Sequence, residues 1–293
     1  MVRIGKKLRV STIVLGLLLI VTLVAGCGQQ QTEQEVKKTN VKIGYINWQE
    51  DIAVTYLWQE ILKEKGYQVE LVNVDVAPLF VGLNKGDLDL FLDSWLPITQ
   101  QAYWEKYKDK LDDYGPWYKG EAKIGLVVPK YVGINSIDEL NGQKTNFSGQ
   151  IIGIDPGAGI MKATDKAISD YALNYEITQG SEAAMLATLD KAYKDKKWLV
   201  MTGWSPHWMF SKYELKYLSD PKKAFGAAEG LHILANKEFT QKQPSIAAML
   251  KNFKLNDQQI GSLESLINQG LLPQDAAKKW IAENTSLVNS WME

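Results

Sequence analysis

The chain has 293 residues, 45% of them hydrophobic and 23% charged, with a formal net charge of -1. That length allows a substantial core in one or two domains, and the near balance of charge argues against a nucleic-acid binder, which needs a basic excess to displace counterions. Ten tryptophans are many for such a chain, and packing accounts for most of them, leaving a few as a candidate ligand surface.

The first 27 residues stand apart from the fold. Lys6, Lys7 and Arg9 form a positive segment, and Val10 to Ala25 is apolar except for Ser11, Thr12 and Thr22. This is the layout of a secretory signal, with an apolar core shorter than the roughly 20 residues of a membrane-spanning helix. Cys27, the only cysteine, follows Leu23-Val24-Ala25-Gly26 in a stretch that resembles a bacterial lipobox. Cleavage there and acylation of Cys27 would leave a protein held on the extracytoplasmic face of the cell membrane by its lipid. The polar tract 28–40 then serves as a flexible tether.

From Val41 the chain alternates two kinds of segment. Strands are expected at Val41–Ile46, Gln68–Val74, Leu88–Phe91, Ile124–Val128, from Ile151, and at Trp198–Thr202. Helices are expected over Ile52–Lys65, ending at Gly66, and over Ile160–Tyr171 and Ser181–Ala192. The last sixty residues read as helical, with starts at Pro244, Asn256 and Pro273. Such alternation implies an α/β architecture with mostly parallel sheets. The pattern also repeats weakly. One expected strand leads into Ser94-Trp95-Leu96-Pro97, another into Gly203-Trp204-Ser205-Pro206.

In open α/β sheets, ligands bind beyond the carboxyl ends of the strands. Trp48, Trp95 and Trp204 all fall at such ends, where an indole is awkward as pure core because its N–H needs a partner. Converging indole faces suit a quaternary ammonium group, which donates no strong hydrogen bond and binds by cation–π attraction. The segment from Ile152 to Met161 is a strand, a glycine-bearing turn and a helix start. Its backbone N–H groups at Gly159 and Ile160 make a seat for an anion such as a carboxylate. A tight turn without a ligand is the plainer alternative, and the Walker lysine and the third glycine of a dinucleotide fingerprint are both missing. Asp93 either adds negative potential for the cation or is a solvated strand-end carboxylate.

These residues resemble the glycine betaine/proline betaine substrate-binding proteins of ABC transporters. The matching stretches are Gly153-Ile-Asp-Pro-Gly-Ala-Gly-Ile-Met161, Thr202-Gly-Trp-Ser-Pro-His-Trp-Met-Phe210, Ser94-Trp-Leu-Pro97 and Ile124-Gly-Leu-Val-Val-Pro-Lys-Tyr131. The resemblance implies a two-lobed type II periplasmic-binding-protein fold with the ligand cleft between the lobes. Lobe 1 is expected over 41–127 with 232–293 and lobe 2 over 128–231, with hinges near Val127–Tyr131 and His232–Ala235. It further implies that Trp48, Trp95 and Trp204 surround the cation while Gly159 and Ile160 bind the carboxylate, and that a membrane permease with its ATPase is the partner. Relatives often carry a histidine shortly after Trp-Leu-Pro; here the stretch is Ile98-Thr99-Gln100-Gln101. Thr99 or Gln100 is the expected replacement donor, and His207 the expected brace of the Trp204 loop.

Other classes fit less well. With two histidines and one cysteine, neither a metal site nor a cofactor is expected, and Ser205 and His207 lack the setting of a nucleophile elbow. Catalysis is therefore not expected, and Asp87/Asp89 and Asp112/Asp113 read as solvated turns. A sugar receptor would want more planar polar side chains near the tryptophans, and a choline receptor would have no use for the anion seat.

Overall fold

The computed structural model describes residues 39–292; the signal segment, Cys27 and nearly all of the tether lie outside the described residues. Among the described residues no helix is long and apolar enough to cross a membrane.

The chain first builds strand β1 (Asn40–Tyr45), helix α1 (Gln49–Glu64), β2 (Gln68–Asn73), α2 (Val76–Lys85), β3 (Leu90–Leu96), α3 (Gln101–Tyr107) and β4 (Leu111–Pro116). It then crosses to β5 (Lys123–Pro129), β6 (Gln150–Ile152), α4 (Gly159–Asp170), β7 (Glu176–Thr178), α5 (Glu182–Lys194), β8 (Met201–Ser205), α6 (Met209–Lys212) and β9 (Leu215–Tyr217). It returns through β10 (Gly230–Asn236) and ends in α7 (Lys237–Lys242), α8 (Pro244–Asn252), α9 (Asp257–Asn268), α10 (Pro273–Glu283) and α11 (Thr285–Trp291). Helix α1 buries Ala53, Val54, Leu57, Trp58, Ile61 and Leu62 at helical spacing, and α9 and α10 cover it. Gly66 ends that segment at φ +89°, a conformation that only glycine adopts cheaply.

Two five-stranded sheets result, ordered β2-β1-β3-β10-β4 and β7-β6-β8-β5-β9. Each contains three parallel strands and then one antiparallel strand that arrives from the other half of the molecule. The two halves therefore share one plan: β1 corresponds to β6, and β3 to β8. Trp95, near the end of β3, pairs with Leu231 of β10, and Trp204, near the end of β8, pairs with Ile124 of β5. The repeat seen in the two Trp-x-Pro strings is thus a repeat of sheet position. Four other tryptophans are packing residues: Trp58, Trp117 and Trp291 are fully buried around Phe253, and Trp280 stacks on Trp291.

Several expectations need correction. Strand β5 pairs only within the second sheet, so the sheets part at residues 117–122 and 218–229, not within β5 at residue 127 nor within β10. The two crossing segments are themselves bridged at Ala122 and Glu229. Strand β3 runs on to Leu96, because Asp93 and Ser94, polar in sequence, are fully buried in the fold. Asp93 is therefore not a solvated strand-end carboxylate. Strand β8 begins only at Met201, while Trp198 packs against Phe147. Asp112 and Asp113 belong to β4, where Asp113 accepts a 2.9 Å hydrogen bond from His232 Nδ1, and Asp89 accepts one of 2.8 Å from the Lys42 amide. The last sixty residues open with the end of β10, not with a helix. The helix starts hold: Pro244 and Pro273 occupy first-turn positions, and Asn256 forms a capping box with Gln259.

Candidate ligand-binding cleft

The carboxyl ends of β1, β3, β6 and β8 converge on one cavity. Its lining includes Trp48, Trp95, Trp204, Gly159 and Ile160, the five residues expected to bind ligand. Glu50, Thr99, Ile124, Ile154 and Ala158 complete it. The three indoles are only 3–4% exposed, so the two lobes are closed over the cavity.

Corresponding positions in the two lobes do different work. Trp48 caps the amino end of α1 and Ala158 that of α4, each just after a strand. The first turn of α1 carries Glu50 and Asp51, and Asp51 accepts the Ile46 amide at 2.7 Å. The first turn of α4 has no acidic residue, and the leading amides of a helix have no intrahelical acceptor. The positive end of α4 is thus left for an anion, whereas the leading amide of α1, Gln49 N, is taken by Glu182 Oε2. Gly159 is also required sterically: a Cβ there would lie 2.3 Å from the Thr99 carbonyl oxygen across the cleft.

Three contacts tie the lobes together at the cavity. Trp204 Nε1 donates to Glu50 Oε2 at 3.0 Å, the Gln49 amide donates to Glu182 Oε2 at 3.1 Å, and Thr99 packs on Gly159. Trp95 Nε1 donates to Asp93 Oδ2 at 3.3 Å. The Trp48 N–H faces Asp155 without completing a hydrogen bond of normal geometry. Two of the indoles are therefore held at their outer edges by carboxylates, which leaves their faces to the cavity.

The expected secondary contacts behave differently from one another. Thr99 lines the cavity but donates its hydroxyl proton to Glu229, whose Oε2 also accepts the Ile98 and Thr99 amides at 2.9 and 3.0 Å. Gln100 is fully buried and outside the lining; its Oε1 accepts from the Ser94 hydroxyl at 3.0 Å and the Trp95 amide at 3.3 Å. It fixes the Trp95 backbone instead of meeting the cavity. His207 also lies outside the lining, with its ring edge-on to Trp204 at 5.0 Å and 77°. Its Nδ1 accepts the Met209 amide at 3.0 Å, so its proton is on Nε2 and is donated to Glu182 at 3.1 Å. That neutral imidazole braces the Trp204 ring.

Sequence reasoning missed the buried carboxylates apart from Asp93. Glu50, Asp51, Asp93, Glu182 and Glu264 are all at most 2% exposed, and among the described residues none forms an ion pair with lysine or arginine. Acidic residues in the first turns of α1 and α5 pass for ordinary complements of the helix dipole, so only the position of Glu50 two residues after Trp48 hinted at more. Burial, aided by Asp93 and Glu182, pushes the Glu50 carboxyl well above its ordinary range, against the pull of the Trp204 N–H. Burial and Asp93 raise Asp51 likewise. Asp93 is pushed up by burial to about 7 and Glu264 to about 8.

A carboxyl raised in this way holds its proton in the folded protein at pH values where the unfolded chain, with values near 4, has released it. The stability it contributes is complete below about pH 4 and is lost as pH rises through about 7 to 8. Thermal melts of the ligand-free protein should therefore show Tm falling from pH 5 to pH 8, as stability drops by at most about 1.4 kcal/mol per pH unit for each proton. Glu264→Gln should flatten the upper part of that profile. A wild-type Tm that is level across the range would mean these carboxyls are ionised in the fold.

Comparison with known proteins agrees with the geometry. Residues 39–283 match the family described as the substrate-binding domain of ABC-type glycine betaine transport systems. The glycine betaine/carnitine transport binding protein GbuC of Listeria monocytogenes is 44% identical over 155 residues, and the match spans about half of each chain, 52% and 51%. The glycine betaine/proline betaine-binding periplasmic protein of Escherichia coli is 25% identical over 83% of this chain and 86% of its own. Lactococcal OpuAC, in a closed conformation complexed with glycine betaine, superposes with a TM-score of 0.82 at 35% identity, covering 87% of this chain and all of that one. With its two sheets, its closed cleft and a family match along nearly all of the described chain, the protein belongs to the substrate-binding domains of ABC-type glycine betaine transport systems.

Proposed function

We propose that the protein captures glycine betaine, or a related quaternary-ammonium zwitterion such as proline betaine or carnitine, and delivers it to an ABC import permease for osmoprotection. The observation that carries this reading is the meeting, on one cavity, of three indoles and the leading amides of α4. The indole faces attract the cation, each contact contributing about 0.5–2 kcal/mol when desolvated, against the roughly 8 kcal/mol of micromolar binding. The Gly159 and Ile160 amides take the carboxylate at the positive end of the helix. Because ligand contacts come from both lobes, binding favours the closed form, and the closed, loaded protein is the form the permease accepts. The ATPase of the permease drives uptake. Acylation of Cys27 holds the receptor at the outer face of the cell membrane, beside that permease.

Titrating the intrinsic tryptophan fluorescence of the purified protein tests this directly. Glycine betaine should give a saturable change at micromolar to low-millimolar concentration, and choline, lacking a carboxylate, a much weaker one. Equal responses would remove Gly159 and Ile160 from the carboxylate role. No response to either ligand would sink the betaine reading and return attention to sugars, which also stack on tryptophan.

A further inference from the structure

Among the described residues, Glu50 is the one carboxylate in the cavity lining. It is fully buried; Oε2 accepts the Trp204 N–H, and Oε1 has no hydrogen-bond partner among the described residues. Asp93 is equally buried, with Oδ2 engaged by the Trp95 N–H and Oδ1 likewise without a partner. The two carboxyl groups are buried neighbours, and Asp93 adds to the rise of the Glu50 carboxyl. Around them stand Asp51 on α1, held by the Ile46 amide and the Thr55 hydroxyl, Glu182 on α5, held by the Gln49 amide and His207, and Glu264 on α9. His207, accepting the Met209 amide at Nδ1, brings no positive charge to the group.

Two neighbouring carboxylates buried without a lysine or arginine resist double ionisation at neutral pH, and a proton held by the pair relieves that cost. We propose that Glu50 is the counter-ion of the bound cation, sharing a proton with Asp93 before the ligand arrives and releasing it to solvent when a quaternary ammonium enters the cage. The proposal rests on the betaine reading above. Charge balances: the singly protonated pair carries one negative charge, and the fully ionised pair with one cation carries the same. The O–H bond breaks heterolytically, its electron pair stays on the carboxylate, and the proton goes to buffer. Burial holds Asp93 at about 7 and raises Glu50, so the shared proton is present near neutrality. The site then selects for a permanent positive charge as well as for shape, because a neutral group of equal size has no means of replacing the proton.

Isothermal titration calorimetry of the purified protein tests this, run from pH 6 to 8 in buffers of differing ionisation enthalpy. Glycine betaine should release up to one proton per ligand, and its affinity should rise with pH by as much as about tenfold per unit before levelling off. The isostere 3,3-dimethylbutanoate, which keeps the carboxylate but has a neutral tert-butyl group in place of the cation, should release none and should not tighten with pH. Glu50→Gln should bind glycine betaine more weakly, without proton release or pH dependence. Wild-type binding of glycine betaine that is level from pH 6 to 8, with heats independent of buffer, would overturn the proposal while leaving the betaine reading intact. Proton release that persists in Glu50→Gln would also overturn it. Failure of glycine betaine to bind at any pH would overturn the betaine reading and the proposal with it.

Discussion

Gly159→Ala is expected to weaken betaine binding by roughly 30- to 150-fold while leaving the Tm of the ligand-free protein unchanged. The added methyl would sit 2.3 Å from the Thr99 carbonyl oxygen and 2.4 Å from its Cγ2. The carbonyl is backbone, and the Ile98 and Thr99 amides are anchored to Glu229, so the segment cannot swing aside cheaply. The clash exists only when the lobes close. An open form accommodates the methyl, since Gly159 does not need a left-handed conformation and alanine favours helices. Overpacking of this kind costs about 2–3 kcal/mol, which here falls on closure and hence on affinity. Calorimetry and a ligand-free melt check both halves. Normal affinity in Gly159→Ala would mean that the bound form does not press Thr99 against α4.

Trp204→Ala should cost about 1–3 kcal/mol of binding. It removes one wall of the cage and also the 3.0 Å hydrogen bond that Trp204 Nε1 gives to Glu50 across the cleft. Trp204→Phe separates the two losses, because it keeps an aromatic face without the N–H; its affinity should fall between wild type and alanine. Normal binding by Trp204→Ala, measured by calorimetry so that the missing fluorophore does not matter, would take Trp204 out of the cage.

Much of the site was legible because its signals are local. A tryptophan at a strand's carboxyl end, and a glycine-bearing turn between a strand and a helix start, are spacings that need no knowledge of the other lobe. The fold brings Trp48, Trp95, Trp204, Gly159 and Ile160 to the same cavity. Thr99 and Gln100 were nominated by position alone, and their tertiary partners reassign their polar groups to Glu229, Ser94 and the Trp95 backbone. Asp93 misled for a related reason: a carboxylate near a strand end is usually solvated, and its burial among Glu50, Asp51, Glu182 and Glu264 is a tertiary effect.

The sequence by itself determined the alternation of strands and helices, the helix starts at Pro244, Asn256 and Pro273, and the aromatic and amide groups a betaine would need. Those features follow from periodicity, capping and turn chemistry, which act over a few residues. Only the tertiary structure decided where the chain passes between sheets, and that Gly159 must lack a side chain. It also decided that five carboxyl groups are buried and, among the described residues, unpaired with lysine or arginine. Their partners lie far away in the chain: Trp204 meets Glu50 across 154 positions, and Gln49 meets Glu182 across 133. Burial at that range raises the energy of a bare charge and so sets its protonation, a property that no local spacing encodes.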